Sequence, residues 1–308
     1  MTTDSPILEA TPRRRRRGHH GDAAGPAGGS PLAKLGWYVL LTALALVILF
    51  PIYMTFIRAI SGGAASLFQK KPSLTPVDTD WGSFVDAFRE GELGVPILQS
   101  LLVTVIIVIA QTFTSTIAAY AFAFLEFPFK KVLFGLIMAT LLLPIEVTLI
   151  ANIQTMYDVD LINVSDPTYL RTLGALTIPF LATALGVFLI RQGFLGIPHD
   201  LLDAARLDGY SDLKFLWRIA VPVTRPIVGS FIVISFLGAY NQYVWPRFAV
   251  KSDKFETIQI ALRGFLTDNP NQLNWGFAAA LMAAVPVLVL LLVFQRQLVR
   301  GLTAGAVK

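Results

Sequence analysis

Cysteine is absent from this sequence. Disulfides, thiolate metal sites and cysteine nucleophiles are thereby excluded. Histidine is nearly as scarce. His19, His20 and His199 are the three, two of them close to the N-terminus, so an imidazole metal centre or a histidine-based catalytic site lacks its parts. Charge is thin as well. Charged residues make up 15% of the chain, against about 25% in an average soluble domain. A phosphate loop of the form G-x-x-x-x-G-K-[ST] is also missing, which excludes ATP binding by that route. No constellation suited to a membrane enzyme stands out.

What is present is apolar. Hydrophobic residues are 55% of the chain and the mean hydropathy is +0.63, which places it in the membrane class. The net charge of +5 owes much to the block Arg13–Arg17, set beside Pro, Gly and Ala. That context argues against nucleic-acid binding. Residues 1–33 hold too little apolar surface to fold and are expected to be a disordered basic tail. The apolar run starting near Trp37 is too long for a signal-peptide core. It is read as the first spanning helix of one domain, 34–308.

About 20 apolar residues cross the hydrocarbon core. Six stretches qualify: 37–57, 97–121, 132–153, 173–193, 227–247 and 276–296. The third is interrupted by Pro144 and Glu146. The expected fold is an all-α polytopic membrane protein with six transmembrane helices. Lys and Arg placement sets orientation. With the arginine block, Lys130, Lys131 and the basic residues of 191–225 inside, both termini are cytoplasmic. The first outer loop, 58–96, contains "DWGSFVDAF", in which Trp81, Phe84, Val85 and Phe88 recur at helical spacing. Two placements stay open for that helix: on the outer surface or a partner, or as a cover for the bundle.

Two polar features lie within or beside the spans. Glu146 follows Pro144, and a charge at mid-bilayer costs on the order of 3 kcal/mol, so it faces protein or water. It lines the pathway or gates it, or it pairs with a neighbouring helix. Tyr240, Asn241, Gln242, Tyr243 and Trp245 cluster near the outer end of the fifth span. Aromatic residues there form an interfacial belt. The amides favour a second reading, in which the cluster faces the translocation path, because an unsatisfied amide in lipid is costly.

The informative stretch is Ile197–Pro226, a charged insertion between two apolar runs. Pro198 ends the preceding helix. Asp200 is placed to cap a new helix, with Leu201, Leu202, Ala205 and Leu207 on its apolar face and Asp203, Arg206 and Asp208 on its charged one. Gly209 suits the left-handed residue at a helix C-terminus, and Ser211 is placed to cap the next helix. Pro222 and Pro226 lead back to the membrane. The pattern fits a knob that a partner grips or an ordinary loop helix.

Asp203-Ala204-Ala205, three residues, Gly209, nine residues, then Ile219-Ala220-Val221-Pro222 resembles the EAA loop of ABC importer permeases, E-A-A-x3-G-x9-I-x-L-P. Asp replaces Glu and Val replaces Leu. In that family the helix sits in a cleft of a separate ATPase and passes its closure to the spanning helices. The resemblance assigns the ATPase contact to Asp200, Asp203, Ala204, Ala205, Arg206 and Gly209. Asp203 would pair with a basic ATPase residue, Ala204 and Ala205 would fill the cleft, and Gly209 would form the corner.

From about Trp37 onward the layout is similar to MalG-type permeases of carbohydrate importers, with a MetI-like fold. Three patches, "LLLPIEV", "YNQYVWP" and "FQRQLVRGL", resemble the glycerol-3-phosphate permeases of that group. The resemblance implies a bacterial inner-membrane location and three kinds of partner: a second permease subunit, two ATPase copies and an extracytoplasmic substrate-binding protein, besides membrane lipid. ATP and Mg would bind the ATPase, with no cofactor in this chain. The implied cargo is glycerol-3-phosphate or a glycerophosphodiester such as glycerophosphocholine. Two alternatives are a disaccharide or oligosaccharide importer and, in a different class, a stand-alone secondary transporter or channel.

Overall fold

The structure, a computed structural model, describes residues 31–62, 73–267 and 273–304. The tail to residue 30, with Arg13–Arg17, lies outside the described residues. Residues 31–33, assigned to the tail from sequence, instead begin α1 (Pro31–Ala59). The chain divides into two compact units, residues 1–53 and 54–308.

In the second unit the segment ahead of the next long helix carries α2 (Gly82–Arg89). The long α3 (Gly94–Phe124) follows. Then come α4 (Lys130–Thr140), α5 (Ile145–Asp158), α6 (Tyr169–Thr177) with a 3-10 turn Ile178–Phe180, and α7 (Ala184–Leu195). The charged insertion forms α8 (His199–Leu207) and α9 (Asp212–Phe215), which runs through a π-helical turn, Leu216–Ala220, into α10 (Val221–Val223). The chain re-enters the bundle as α11 (Arg225–Tyr240) and continues with α12 (Val244–Ala249), α13 (Ile258–Thr267) and α14 (Leu273–Ala304). Apart from one isolated bridge, Ser61–Thr79, the described residues form no β-structure.

Three helices are each long and apolar enough to cross a membrane: α1, α3 and the Leu273–Gln297 part of α14. Two bent pairs, Tyr169–Phe180 with Ala184–Leu195 and Asp212–Val223 with Arg225–Tyr240, bring the total to five if each counts as one span. The third of the six expected spans is not one helix. It is α4 and α5 parted at Leu141–Pro144, and neither half reaches spanning length alone. Pro144 is extended (ψ 143°). It lacks an N–H and disfavours a helical residue before it, so the helix cannot pass through.

The core is built from α3, α7, α11 and α14, with α3 packed on α7 and α11, and α11 on α14. Small residues set the closeness of approach. Gly186 of α7 faces Ser115 of α3 and the Phe231 ring of α11, leaving no room for a Cβ. The bend between α6 and α7 is 49° and leaves backbone carbonyls without helical partners. Polar side chains of α3 take them up. Gln111 Nε2 donates to Phe180 O at 2.8 Å and Thr114 Oγ1 to Leu181 O at 3.0 Å; Ser115 Oγ adds a longer contact, 3.4 Å, to Thr183 O, which already accepts the Val187 N–H. Ser235 of α11 donates to Gln111 Oε1 at 2.7 Å and fixes that amide. In lipid such carbonyls need a protein donor.

The helix expected in the first outer loop exists and covers the bundle, packing on α14. Its inward side differs from the apolar stripe. Ser83 and Ala87 are fully buried, while Trp81, Val85 and Phe88 stay exposed. The small side chains permit close contact, and Ser83 Oγ reaches Ala59 O at 2.6 Å.

Candidate functional site

The charged insertion folds as two short helices meeting at a glycine. The Tyr210 N–H bonds Ala205 O at 2.9 Å and the Gly209 N–H bonds Arg206 O at 3.0 Å. This pair of bonds is a Schellman ending, which requires a left-handed residue at its corner; Gly209 supplies it with φ +75°. Ser211 caps α9 by accepting from the Lys214 N–H at 3.4 Å. Asp200 does not cap α8. The helix starts one residue before it, after an extended Pro198, and Asp200 falls in the first turn, where its charge still favours the helix dipole.

The faces of α8 are now defined. Leu202 and Ala205 are buried at 4% exposure in a core cluster with Phe194, Phe215 and Leu216. Burial of a leucine contributes roughly 2 kcal/mol, so this side anchors the insertion to its own bundle. Ala205 therefore faces its own bundle. Leu207, placed on the apolar face from sequence, is 91% exposed. Asp203, Ala204 and Arg206 are exposed beside it, so the outward surface is a small apolar tip rimmed by both charges.

One hydrogen bond ties this knob to α3, and an ion pair braces the knob itself. The Tyr120 hydroxyl donates to Asp212 Oδ1 at 2.9 Å, and Arg206 Nη2 lies 3.9 Å from the same oxygen across the glycine corner. The Tyr120 ring packs against Phe124 and Phe215. Nearby, Arg191 of α7 donates to Phe122 O at 3.0 Å and stacks 4.2 Å from the centre of the Phe134 ring on α4. The Tyr120–Asp212 hydrogen bond thus links α9 to α3. Tyr120→Phe keeps the ring and removes that bond, a loss of about 2 kcal/mol. The expected result is a lower thermal midpoint for the purified chain, read by stepwise heating and size exclusion, with chain abundance near wild type.

At the other end of α11 the polar-aromatic cluster splits. Tyr240 is 2% exposed, stacks on Phe236 and donates to Ala283 O at 3.0 Å, joining α11 to α14. Trp245 is 1% exposed; its Nε1 donates to Ala175 O at 3.0 Å and its ring meets Phe180 edge-on. Both are interior posts. Each fills the space between two helices and has a buried carbonyl for its one donor. Asn241 is exposed and Tyr243 half-buried. They meet two residues of α13 that the sequence reading missed: Gln259 Nε2 donates to Asn241 Oδ1 at 3.3 Å, and Arg263 donates to the Tyr243 hydroxyl. Gln242 is half-buried beside them. Arg263 also lines a cavity of about 390 Å³ with Arg247, Asp253 and Glu256. No local signal linked α13 to this cluster; the contacts span about twenty residues of chain that include α12. Glu146 lies in the first turn of α5, and its side chain falls outside the described residues.

Comparison with known proteins places these features. Residues 111–304 match the family model described as "Binding-protein-dependent transport system inner membrane component". The chain is 30% identical over 273 residues to the sn-glycerol-3-phosphate transport system permease protein UgpE of Yersinia pestis bv. Antiqua, covering 86% of this chain and 94% of that one. It is 31% identical over 281 residues to UgpE of Agrobacterium fabrum, covering 88% and 96%. Among solved structures, a chain of a bacterial ABC transporter involved in import of the acidic polysaccharide alginate superposes with a TM-score of 0.73 at 23% identity, covering 86% of this chain and 96% of that one.

Proposed function

Because the chain belongs to the family of inner-membrane components of binding-protein-dependent transport systems, we propose that it is one permease subunit of an ATP-driven importer for sn-glycerol-3-phosphate or a glycerophosphodiester. Hydrolysis takes place in a separate ATPase present as two copies. A sister permease completes the pathway, and an extracytoplasmic binding protein delivers cargo. Both termini and the α8–α10 insertion face the cytoplasm. ATPase closure carries α8 with it through Asp203, Ala204 and Leu207. The Tyr120–Asp212 bond moves α3 in turn, and the paired permeases pass from inward-facing to outward-facing, a two-state element biased by nucleotide.

The observation that carries the transport reading is the family match across α3 to α14. What supports the substrate is the agreement of relatives that span nearly the whole chain. A phosphorylated cargo also gives the outer cluster a chemical sense. Arg263 supplies a planar cation with several N–H donors, suited to phosphate oxygens, while Asn241, Gln259 and Tyr243 suit hydroxyls.

Uptake of labelled glycerol-3-phosphate and glycerophosphocholine, set against a labelled disaccharide, tests the substrate in cells with and without the gene. Selective loss of the phosphorylated compounds on deletion is expected. Loss of disaccharide uptake instead would reassign the cargo and keep the importer. Transport by the purified chain alone, without ATP, would remove the importer reading altogether. Under the favoured cargo, Arg263→Gln raises the half-saturating concentration for glycerol-3-phosphate about tenfold, the worth of one charge-assisted hydrogen bond, with a smaller change in maximal rate.

A further inference from the structure

Where α11 begins and α14 ends, a cavity of about 420 Å³ opens between the two helices. Its walls divide by chemistry. Val221, Val228, Ile232 and Phe294 form an apolar floor, and Arg225 and Arg296 stand at a polar rim with Gln297. The helices are held close beneath it. A Cβ on Gly229 would sit 3.3 Å from the Gln297 Cβ, and Ser230 Oγ donates to Gln297 O at 3.0 Å.

The charge of this cavity is unbalanced. Neither arginine takes part in an ion pair among the described residues, and no carboxylate lines the cavity. Cavities beyond the far end of α11 differ. Those that hold Arg247 with Lys251 or Arg263 also hold Asp253 and Glu256. Two exposed guanidinium groups on one acid-free cavity call for an anion.

Position narrows the anion. Just before Arg296, α14 presents Leu288, Val289, Leu292 and Val293, each more than half exposed. The cavity thus straddles the step from hydrocarbon-facing to basic surface. An occupant that satisfies both walls is an amphiphile with a phosphate head. A free anion would leave the apolar floor uncovered.

We propose that this cavity is a binding site for the headgroup phosphate of an anionic glycerophospholipid. Arg225 and Arg296 grip the phosphate, and an acyl chain lies over Val228, Ile232 and Phe294. The site is separate from the outer cluster and does not depend on the nature of the cargo. It sits at the 83° bend between the Asp212–Val223 segment and α11. A lipid there braces the joint through which the cytoplasmic knob meets the membrane.

The test uses the purified complete importer in detergent, with two readouts. One is the unfolding temperature after addition of phosphatidylglycerol, phosphatidylcholine or inorganic phosphate. The other is phospholipid retained through purification, measured by mass spectrometry. Phosphatidylglycerol is expected to raise the unfolding temperature of the wild type, while phosphatidylcholine and inorganic phosphate leave it unchanged. The double variant Arg225→Gln/Arg296→Gln loses that response and the retained phosphatidylglycerol; affinity falls roughly fivefold for each charge removed. Arg225→Lys/Arg296→Lys keeps a partial response, which separates charge recognition from misfolding. An unchanged response in the double glutamine variant overturns the proposal. So does an equal response to inorganic phosphate, which makes this a free-anion site. Capture of the ATPase by a cross-linker at position 225, with no lipid retained, reassigns the arginines to a protein contact and likewise overturns it.

Discussion

Uptake should collapse when Gly209 is replaced by valine and survive when it is replaced by asparagine. Gly209 has φ +75°, and a Cβ added there meets nothing within 4 Å. Packing is therefore no obstacle, and the whole penalty is conformational. Left-handed backbone costs an ordinary L-residue about 1–2 kcal/mol, and asparagine tolerates it far better than a β-branched residue does. Valine relaxes by abandoning the Schellman corner. Tyr210, Ser211 and Asp212 then leave their places, and with them goes the bond from Tyr120. The chain still inserts, since α3, α11 and α14 are untouched. The expected record is transport near background, normal chain abundance, and ATP hydrolysis that no longer responds to cargo-loaded binding protein. Wild-type uptake by the valine variant, measured at matched abundance, would falsify the role given to this corner.

The second large effect is on stability. Gly186→Ala should sharply lower the thermal midpoint of the assembled importer, although alanine is the better helix former. The new Cβ would overlap Ser115 Oγ and lie 2.5 Å from Phe231 Cζ, with α3, α7 and α11 converging on that point. Overpacking of this kind costs about 1–3 kcal/mol. It also pushes α7 from α3, which endangers the hydrogen bond at Thr183. Gly238→Ala on α11 is the control, because nothing lies within 4 Å of its added Cβ. There the intrinsic preference for alanine, up to about 1 kcal/mol, acts alone. Fluorescence-detected size exclusion after stepwise heating reads both. Equal midpoints for the two variants would show that the three-helix contact is looser than described.

These residues also show what a sequence discloses. Gly209, Ser211, Pro198 and Pro144 were readable because each acts on its own backbone within a few residues, through φ, a missing N–H or a cap. The all-α class followed from long apolar runs for the same reason. Direction was harder. Leu202 and Leu207 are equally apolar, yet one is buried and the other stands outward, because the turn at Gly209 ends the face that the spacing suggested. Tyr240 and Trp245 looked like partners of Asn241. Their burial depends on carbonyls at Ala283 and Ala175, which sit 43 and 70 residues away. Arg263 and Gln259 were passed over because only the return of α13 toward the end of α11 brings them to Tyr243 and Asn241. Local chemistry was legible, and pairings made by the path of the chain were not.

The bend between α6 and α7 has a consequence for biogenesis. Uncapped carbonyls in hydrocarbon cost on the order of several kcal/mol each, so this pair cannot settle in the bilayer by itself. Its donors, Gln111 and Thr114, lie about seventy residues earlier in the chain. As the ribosome delivers the chain from its N-terminus, α3 is already in place when the bent pair emerges, a ready template for it. A version permuted to begin at α6 would meet the membrane without that template.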